Sequence, residues 1–538
     1  MRRAVERVEA PLLPLWAAVP VAAGAGAVLD GAFPDKGIWP LALVGVGLML
    51  VTLIGRTAAQ AALVGFVGGL AFYLTHISWA ALFLGPLPMS ALAVLESLFF
   101  ALGGVAIALA YRWLPPIWPS GFGRLVLLPV AVAGLWTARE AWASVWPYGG
   151  FSWGRVGMSQ NDGPLAPLYS WIGISGMSFV LVLLVALAVE AVRVAATAEI
   201  RPAGRRVGRV RRRVDVDPRT SLVRLAVAPV AVAAALLVVP AFPVATSGTM
   251  RVAAVQGAGA AGYFDGSSAE ELLAAQFDAT VPVFDEDVDV VLWPEGTTYA
   301  DPLRDEYTAD VFDLVSERMD APLVAQGVTQ RDGLSYNTTM LWKPGEGALD
   351  LYDKKHPVPF GEYIPDRAFW RPFAPDLIDL VQREFTPGST DMVFDIDGVV
   401  VGTNICFDIV DDQLMTETVE EGAQIVFASS NNADFGRTDE SAQQLAIAQI
   451  RAMELGRAVV NVSTVGITAV IEPDGTIVQR LPWYEPGAIV RDVPLTDATT
   501  PAVLLGRQFE WLVSGLGLAA LAIAGLASSA GTGRRRAG

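Results

Sequence analysis

Three side chains in the second half of this 538-residue chain are of types that together can activate a thiol and steady a developing oxyanion. Cys406, the only cysteine, ends the strand-like run VVVGTNIC, just before a helix expected to begin near Asp411. At such a bend a thiol is exposed, and backbone N–H groups of the following residues point toward it. Glu295 closes the apolar run Leu292-Trp293-Pro294-Glu295. Partial desolvation beside Trp293 would raise its pKa toward a useful base value. Lys354, in Tyr352-Asp353-Lys354-Lys355-His356, stands at a strand exit, where an ammonium can face a negative oxygen. Singly, each has an ordinary explanation: a solvated cap, a surface charge, a small buried hydrophobe. One thiol permits no internal disulfide and no multi-cysteine metal site. The two histidines, His76 and His356, lie in different halves, which argues against zinc. No cofactor motif is visible.

The elements that must position these groups follow from the residue pattern. Strands are expected at 250–257, 288–295, 322–330, 337–344, 398–407, 424–431 and within 458–471, and helices at 267–281, 306–319 and 437–457. Strands alternating with helices imply an α/β domain with layered sheets. Residues 250–500 carry 43 acidic against 15 basic side chains, so phosphates would be repelled and a nucleic-acid partner is disfavoured.

The first half is different. Residues 1–249 hold only 11 of the 55 acidic side chains. The whole chain is 53% hydrophobic with a mean hydropathy of +0.44, and its 17% of charged residues compares with about 25% in soluble proteins. Crossing a bilayer takes roughly 20 apolar residues. Stretches at 11–31, 37–55, 58–80, 87–112, 123–143, 166–193 and 222–244 qualify, and an eighth lies at 508–529. The first follows Arg2 and Arg3 but leads directly into six more, so it reads as an uncleaved anchor. Arg2, Arg3, Arg7, Arg56, Arg112, Arg124, the cluster from Arg201 to Arg219, and Arg534, Arg535 and Arg536 all fall on one side if the helices alternate. That side is expected to be cytoplasmic. The Arg-rich loop then reads as a topology determinant rather than a specific lipid or nucleic-acid site. Expected divisions are 1–245 for seven transmembrane helices, 246–500 for an extracytoplasmic catalytic domain, and 501–538 for the last helix and a basic cytoplasmic tail.

The segment YDKKHPVPFGEYIP (352–365) resembles a hallmark of the apolipoprotein N-acyltransferases, bacterial membrane enzymes of the nitrilase superfamily. WPEG (293–296), SYNTTMLW (335–342), NICFD (404–408), SNNADFG (430–436), IRAMELGRAVVNVSTVGITAVI (450–471) and PYGGFSWGRVGMSQ (147–160) are similar to other family segments, in order and spacing. The resemblance implies a polytopic membrane domain of about eight helices joined to an extracytoplasmic α/β αββα sandwich, in a bacterial plasma membrane with both termini cytoplasmic. It implies Glu295 as general base, Cys406 as nucleophile, and Lys354, rather than Lys355, as oxyanion stabiliser. Glu362 would be a supporting carboxylate, and the N–H of Phe407 a second oxyanion donor. Two positions depart from the family: Asp408 where relatives often carry Glu, and Asp434 where they often carry Trp. Both bear on substrate preference. A phospholipid acyl donor, a diacylglyceryl lipoprotein acceptor and no cofactor follow, with a polyprenol-phosphate mannose synthase as a further partner. Two alternatives share the features: a membrane-tethered amidase with water as acceptor, and a non-catalytic scaffold for such a glycosyltransferase.

Overall fold

A computed structural model describes residues 10–199 and 229–536. Its apolar part consists of helices Leu15–Asp30, Pro40–Leu53, Ala58–His76, Pro86–Ile117, Leu128–Ala143 and Tyr169–Glu199, joined by Arg507–Arg536 from the far end of the chain. Among the described residues, five helices are long and apolar enough to cross a membrane: Ala58–His76, Pro86–Ile117, Gly123–Ala143, Ala166–Ala196 and Arg507–Ser529. The first two helices have 16 and 14 residues. At 1.5 Å per residue they rise only about 24 and 21 Å, short of a roughly 30 Å hydrocarbon core. The spans expected at 11–31 and 37–55 are therefore shorter. Pro14 stands ahead of the first helix, and Gly31, counted toward its length, already caps it. The seventh expected span lies partly outside the described residues, with 229–237 helical. Arg2, Arg3, Arg7 and the cluster from Arg201 to Arg219 also lie outside them.

Small residues let these helices approach closely, as packing within a bilayer favours. A methyl group on Gly134 would run into the carbonyl of Val513 and would lie 3.1 Å from Gly517. The Leu128–Ala143 helix thereby seats the C-terminal one. Within Tyr169–Glu199, Gly173 departs from helical geometry at φ 63°. The space left by its missing side chain is taken by the carboxylate of Glu454, which accepts from the N–H of Ile174 at 3.2 Å.

The second part is two six-stranded sheets. Strands β1 (Thr246–Gln256), β2 (Val290–Leu292), β3 (Leu323–Arg331), β4 (Leu334–Lys343), β5 (Gly347–Asp353) and β12 (Gly487–Thr496) form one, in the order β12-β1-β2-β3-β4-β5. The other is β11-β10-β9-β8-β7-β6, built from β6 (Val393–Ile396), β7 (Val399–Ile405), β8 (Ile425–Ser430), β9 (Ala458–Ser463), β10 (Ala469–Ile471) and β11 (Ile477–Arg480). Alternation along β1 shows the layering. Val252 and Ala254 join the core shared by both sheets, while Ala253 and Val255 face Leu273, Phe312 and Val315 of helices Ala269–Thr280 and Glu306–Met319. Helices Asp412–Glu420 and Asp439–Leu455 cover the second sheet, so the layers run helix, sheet, sheet, helix. The 458–471 run, read as one apolar stretch, is two antiparallel strands joined through a turn.

The Asp439–Leu455 helix also carries the junction with the apolar half. The Gln443 amide oxygen accepts from the indoles of Trp79 (3.1 Å) and Trp153 (2.7 Å), and its nitrogen donates to the carbonyl of His76 at 3.2 Å. Arg155 grips Asp412 with both guanidinium nitrogens, at 2.5 and 2.8 Å, and Arg451 reaches the same carboxylate at 2.7 Å.

Candidate active site

Glu295, Lys354 and Cys406 each follow the C-terminal end of a strand: β2, β5 and β7 respectively. β2 is parallel to β3, and two antiparallel steps through β4 make β5 parallel to both, so Glu295 and Lys354 emerge at the same edge of one sheet. Cys406 comes from the other sheet, and β4 touches β7 across the interface.

The fixed charges are held by a hydrogen-bonded frame. Asn337 of β4 donates through Nδ2 to Glu295 Oε1 at 2.9 Å and to Glu362 Oε1 at 3.0 Å. The backbone N–H of Asn431 donates to Glu295 Oε2 at 2.9 Å. Glu362 Oε2 pairs with Lys354 Nζ at 2.8 Å and accepts from the N–H of Val358 at 2.6 Å. Lys354 is only 1% exposed, so without Glu362 its charge would be costly to bury. Lys355 points elsewhere, to Glu417 at 3.4 Å.

Electrostatics link the three groups. Burial pushes Glu295 up to about 7, helped by Glu362 and opposed by Lys354. Burial also raises the Cys406 thiol well above its ordinary value, with Glu295 adding to the rise and Lys354 countering it. Burial works against the charge of Lys354, but Glu362, Cys406, Glu295 and Asp408 outweigh it and keep its pKa above the usual lysine range. At rest the site therefore holds a protonated thiol beside a carboxyl that titrates near neutrality. It can move a proton from sulfur to carboxylate as an electrophile arrives, with a fixed cation ready for the oxyanion.

Cys406 opens a turn, Cys406–Val410, in left-handed backbone at φ 51°. For a residue with a Cβ this conformation costs on the order of 1–3 kcal/mol. The surroundings enforce it. Asp408 Oδ2 accepts from the N–H of Ile405 at 3.0 Å and from the Tyr352 hydroxyl at 2.8 Å. Arg451 donates to the carbonyls of Ile409 (2.8 Å) and Val410 (2.9 Å). Asp408 thus braces the turn through its side chain, and burial pushes it up to about 6. The Phe407 ring stacks on Phe151 and Trp153, with centroids 6.0 and 6.2 Å apart, which ties the Cys406–Val410 turn to the apolar half. The N–H of Phe407 lies in the first turn, among the groups a helical start leaves without an intrahelical acceptor. Asp434 accepts from the N–H of Tyr263 at 2.7 Å and so pins the 258–266 loop.

The carboxylates and cation account for half of the frame. Asn337, the Asn431 N–H and Gln444, whose Nε2 donates to the Cys406 carbonyl at 3.4 Å, complete it without having been singled out by type or spacing. The sequence signals that reached them were the segments SYNTTMLW, which contains Asn337, and SNNADFG, which contains Asn431.

Residues 25–187 match the family described as apolipoprotein N-acyltransferase N-terminal domain, and 251–500 match carbon-nitrogen hydrolase. The apolipoprotein N-acyltransferase of Mycolicibacterium smegmatis is 33% identical over 545 residues, covering 95% of this chain and 85% of its own. The chain belongs to the apolipoprotein N-acyltransferase family. The apolipoprotein N-acyltransferase of Vibrio cholerae is 27% identical over 92% of this chain and 95% of its own. Among solved structures, a mutant of the Nesterenkonia AN1 amidase from the nitrilase superfamily superposes with a TM-score of 0.37 at 18% identity, over 50% of this chain and 97% of that one. As an apolipoprotein N-acyltransferase family member, the chain joins a set of bacterial membrane helices to a carbon-nitrogen hydrolase domain.

Proposed function

We propose that the chain transfers a fatty acyl group from a phospholipid to a lipoprotein through a thioester on Cys406. Lipoprotein N-acylation is the activity of the family; the residues and steps are our reading. Glu295 takes the proton of Cys406 as sulfur attacks the ester carbonyl, and Lys354 with the Phe407 N–H holds the oxyanion. The tetrahedral intermediate collapses, Glu295 returns the proton to the departing lysophospholipid oxygen, and an acyl-thioester remains. The α-amine of a diacylglyceryl-cysteine then attacks, Glu295 takes the amine proton, an amide forms, and the thiol is restored. Glu362 keeps Lys354 charged and in place throughout.

The observation that carries this reading is the convergence of base and cation from one sheet with a strained thiol from the other, in a turn stacked on the apolar half through Phe407. We read 1–245 as the domain of transmembrane helices, 501–538 as the last helix with a cytoplasmic tail, and 246–500 as the catalytic domain at the outer surface, where both lipid substrates present their reacting groups. The exposed Phe369 and Phe373, 58% and 73% exposed, offer apolar contact there. The relatives named above are N-acyltransferases, and neither water as acceptor nor a partnership with a polyprenol-phosphate mannose synthase finds support among them.

Mass spectrometry of the purified protein incubated with phospholipid alone tests the first half-reaction. A gain of one acyl group on the peptide containing Cys406, absent in Cys406→Ala, is expected. An unmodified thiol in the presence of donor lipid would rule the mechanism out. Adding a diacylglyceryl peptide should then yield N-acylated peptide rather than free fatty acid.

A further inference from the structure

The Asp439–Leu455 helix brings to the site a carboxyl that the acyl-transfer scheme leaves unused. Glu440 is 2% exposed, and its Oε2 accepts from Asn432 Nδ2 at 2.8 Å. The same nitrogen donates to Gln444 Oε1 at 2.6 Å, and Gln444 Nε2 donates in turn to the carbonyl of Cys406 at 3.4 Å. The direction of this relay is set at Asn432. Its Oδ1 accepts from the hydroxyls of Ser430, at 3.1 Å, and Ser463, so its two N–H groups must face Glu440 and Gln444. Glu440 and Gln444 are four residues apart and share one helix face. With its oxygen engaged by Asn432, Gln444 has its amide nitrogen left for Cys406. Asn432, Gln444, Ser430 and Ser463 are all buried, where a low local dielectric strengthens these bonds. Asn431, the neighbour of Asn432, gives its N–H to Glu295, so one short segment fixes both the base and the nucleophile.

We infer that Glu440 is a positioning residue for the first half-reaction: through Asn432 and Gln444 it holds the carbonyl of Cys406, and with it the left-handed backbone that aims the sulfur. The inference rests on Cys406 being the nucleophile. Glu440 touches neither substrate nor the reacting atoms, so its loss acts on the rate of attack and not on lipid binding. Misplacement of a reacting group by about 1 Å can cost on the order of 10²-fold in rate.

The test uses the full-length protein in detergent micelles, following acylation of Cys406 against phospholipid concentration. Glu440→Ala is expected to lower the maximal acylation rate by about tenfold or more, with the half-saturating lipid concentration unchanged. Glu440→Gln, whose amide oxygen still accepts from Asn432, should recover to within about threefold of wild type. Gln444→Met should show the same loss as Glu440→Ala, and the double variant should be no slower than either, because links in series do not add. Glu440→Asp withdraws the acceptor by one methylene, should also be slow, and decides the matter if Glu440→Ala does not fold. Wild-type rates in Glu440→Ala or Glu440→Asp, losses that multiply in the double variant, or Glu440→Gln as slow as Glu440→Ala would each overturn the role of Glu440 while leaving the thioester mechanism intact. A wild-type protein that takes up no acyl group overturns both.

Discussion

In the proposed mechanism Cys406 and Glu295 divide the work of thiol activation, because burial acts on both. Glu295 must be ionised to accept the proton, and burial sets its pKa near 7. Acylation of Cys406 is therefore expected to rise with pH through about 7 and then level off. Lys354 favours the charged form of Glu295, so Lys354→Met should move that rise to higher pH as well as lower the plateau by about 10²–10³. A variant slowed at every pH with its rise unmoved would mean that Lys354 does not act on the base. The same shift makes a stability prediction. A carboxyl whose folded-state pKa lies above its unfolded value of about 4.3 stabilises below that value and loses the contribution as pH rises through 7. Glu295→Gln is thus expected to melt above wild type at pH 8, with the gap closing toward pH 4; equal melting temperatures at pH 8 would contradict it.

At the level of elements, the strand ends ahead of Glu295 and Cys406 were legible in the chain, because apolar β-branched runs stop there, whereas the strand ahead of Lys354 has no such run. Edge strands were less so. β6 and β11 have only four residues each, and burial along β5 and β11 shows no clean alternation. β12 pairs with β1 from far along the sequence, a contact no local pattern announces. The positioning amides Asn337, Asn432 and Gln444 were hidden for a related reason. Each is polar on an otherwise buried element, and its partners come from other parts of the chain. The Arg155–Asp412–Arg451 cluster belongs to this class too, and it locks the Asp412–Glu420 helix, the nucleophile turn and the 144–168 loop together. Replacing Asp412 by Asn leaves the buried Arg155 guanidinium without its carboxylate, while Arg451 keeps Glu454, and a loss of about 3–5 kcal/mol is expected in thermal unfolding. Burial raises the pKa of Asp412, but Arg155 and Arg451 prevail and hold it below the usual carboxylate range. Its contribution is therefore present above about pH 4 and fades as pH falls further. Wild type should lose stability on that acid limb while Asp412→Asn should show less of it; parallel acid limbs would sink the assignment.

At the scale of the whole molecule, the contacts sort the helix ends into two sets. The ends following Ala58–His76 and Leu128–Ala143 carry Trp79 and Trp153, which meet Gln443 of the catalytic domain. Asn161, in the loop before the next helix, meets Gln449 at 3.2 Å. The opposite ends carry Arg56, Arg124 and Arg193. Arg56, after Pro40–Leu53, donates to the carbonyls of Thr52 at 3.0 Å and Leu13 at 2.5 Å, which places the start of the first helix beside the end of the second. Arg124 and Arg193 both pair with Glu190, bringing the start of the fifth helix to the end of the sixth. An excess of arginine marks the cytoplasmic face, because arginine-rich loops resist translocation. The catalytic domain is then expected outside, level with the outer leaflet. Fusing alkaline phosphatase after Thr496 should give an active enzyme, since it needs an oxidising compartment for its disulfides. A fluorescent protein fused after Gly538, beyond the last helix, should fluoresce in the cytoplasm. An inactive phosphatase at the first position would turn the molecule over and move Cys406 away from the leaflet in which the proposed lipid substrates meet.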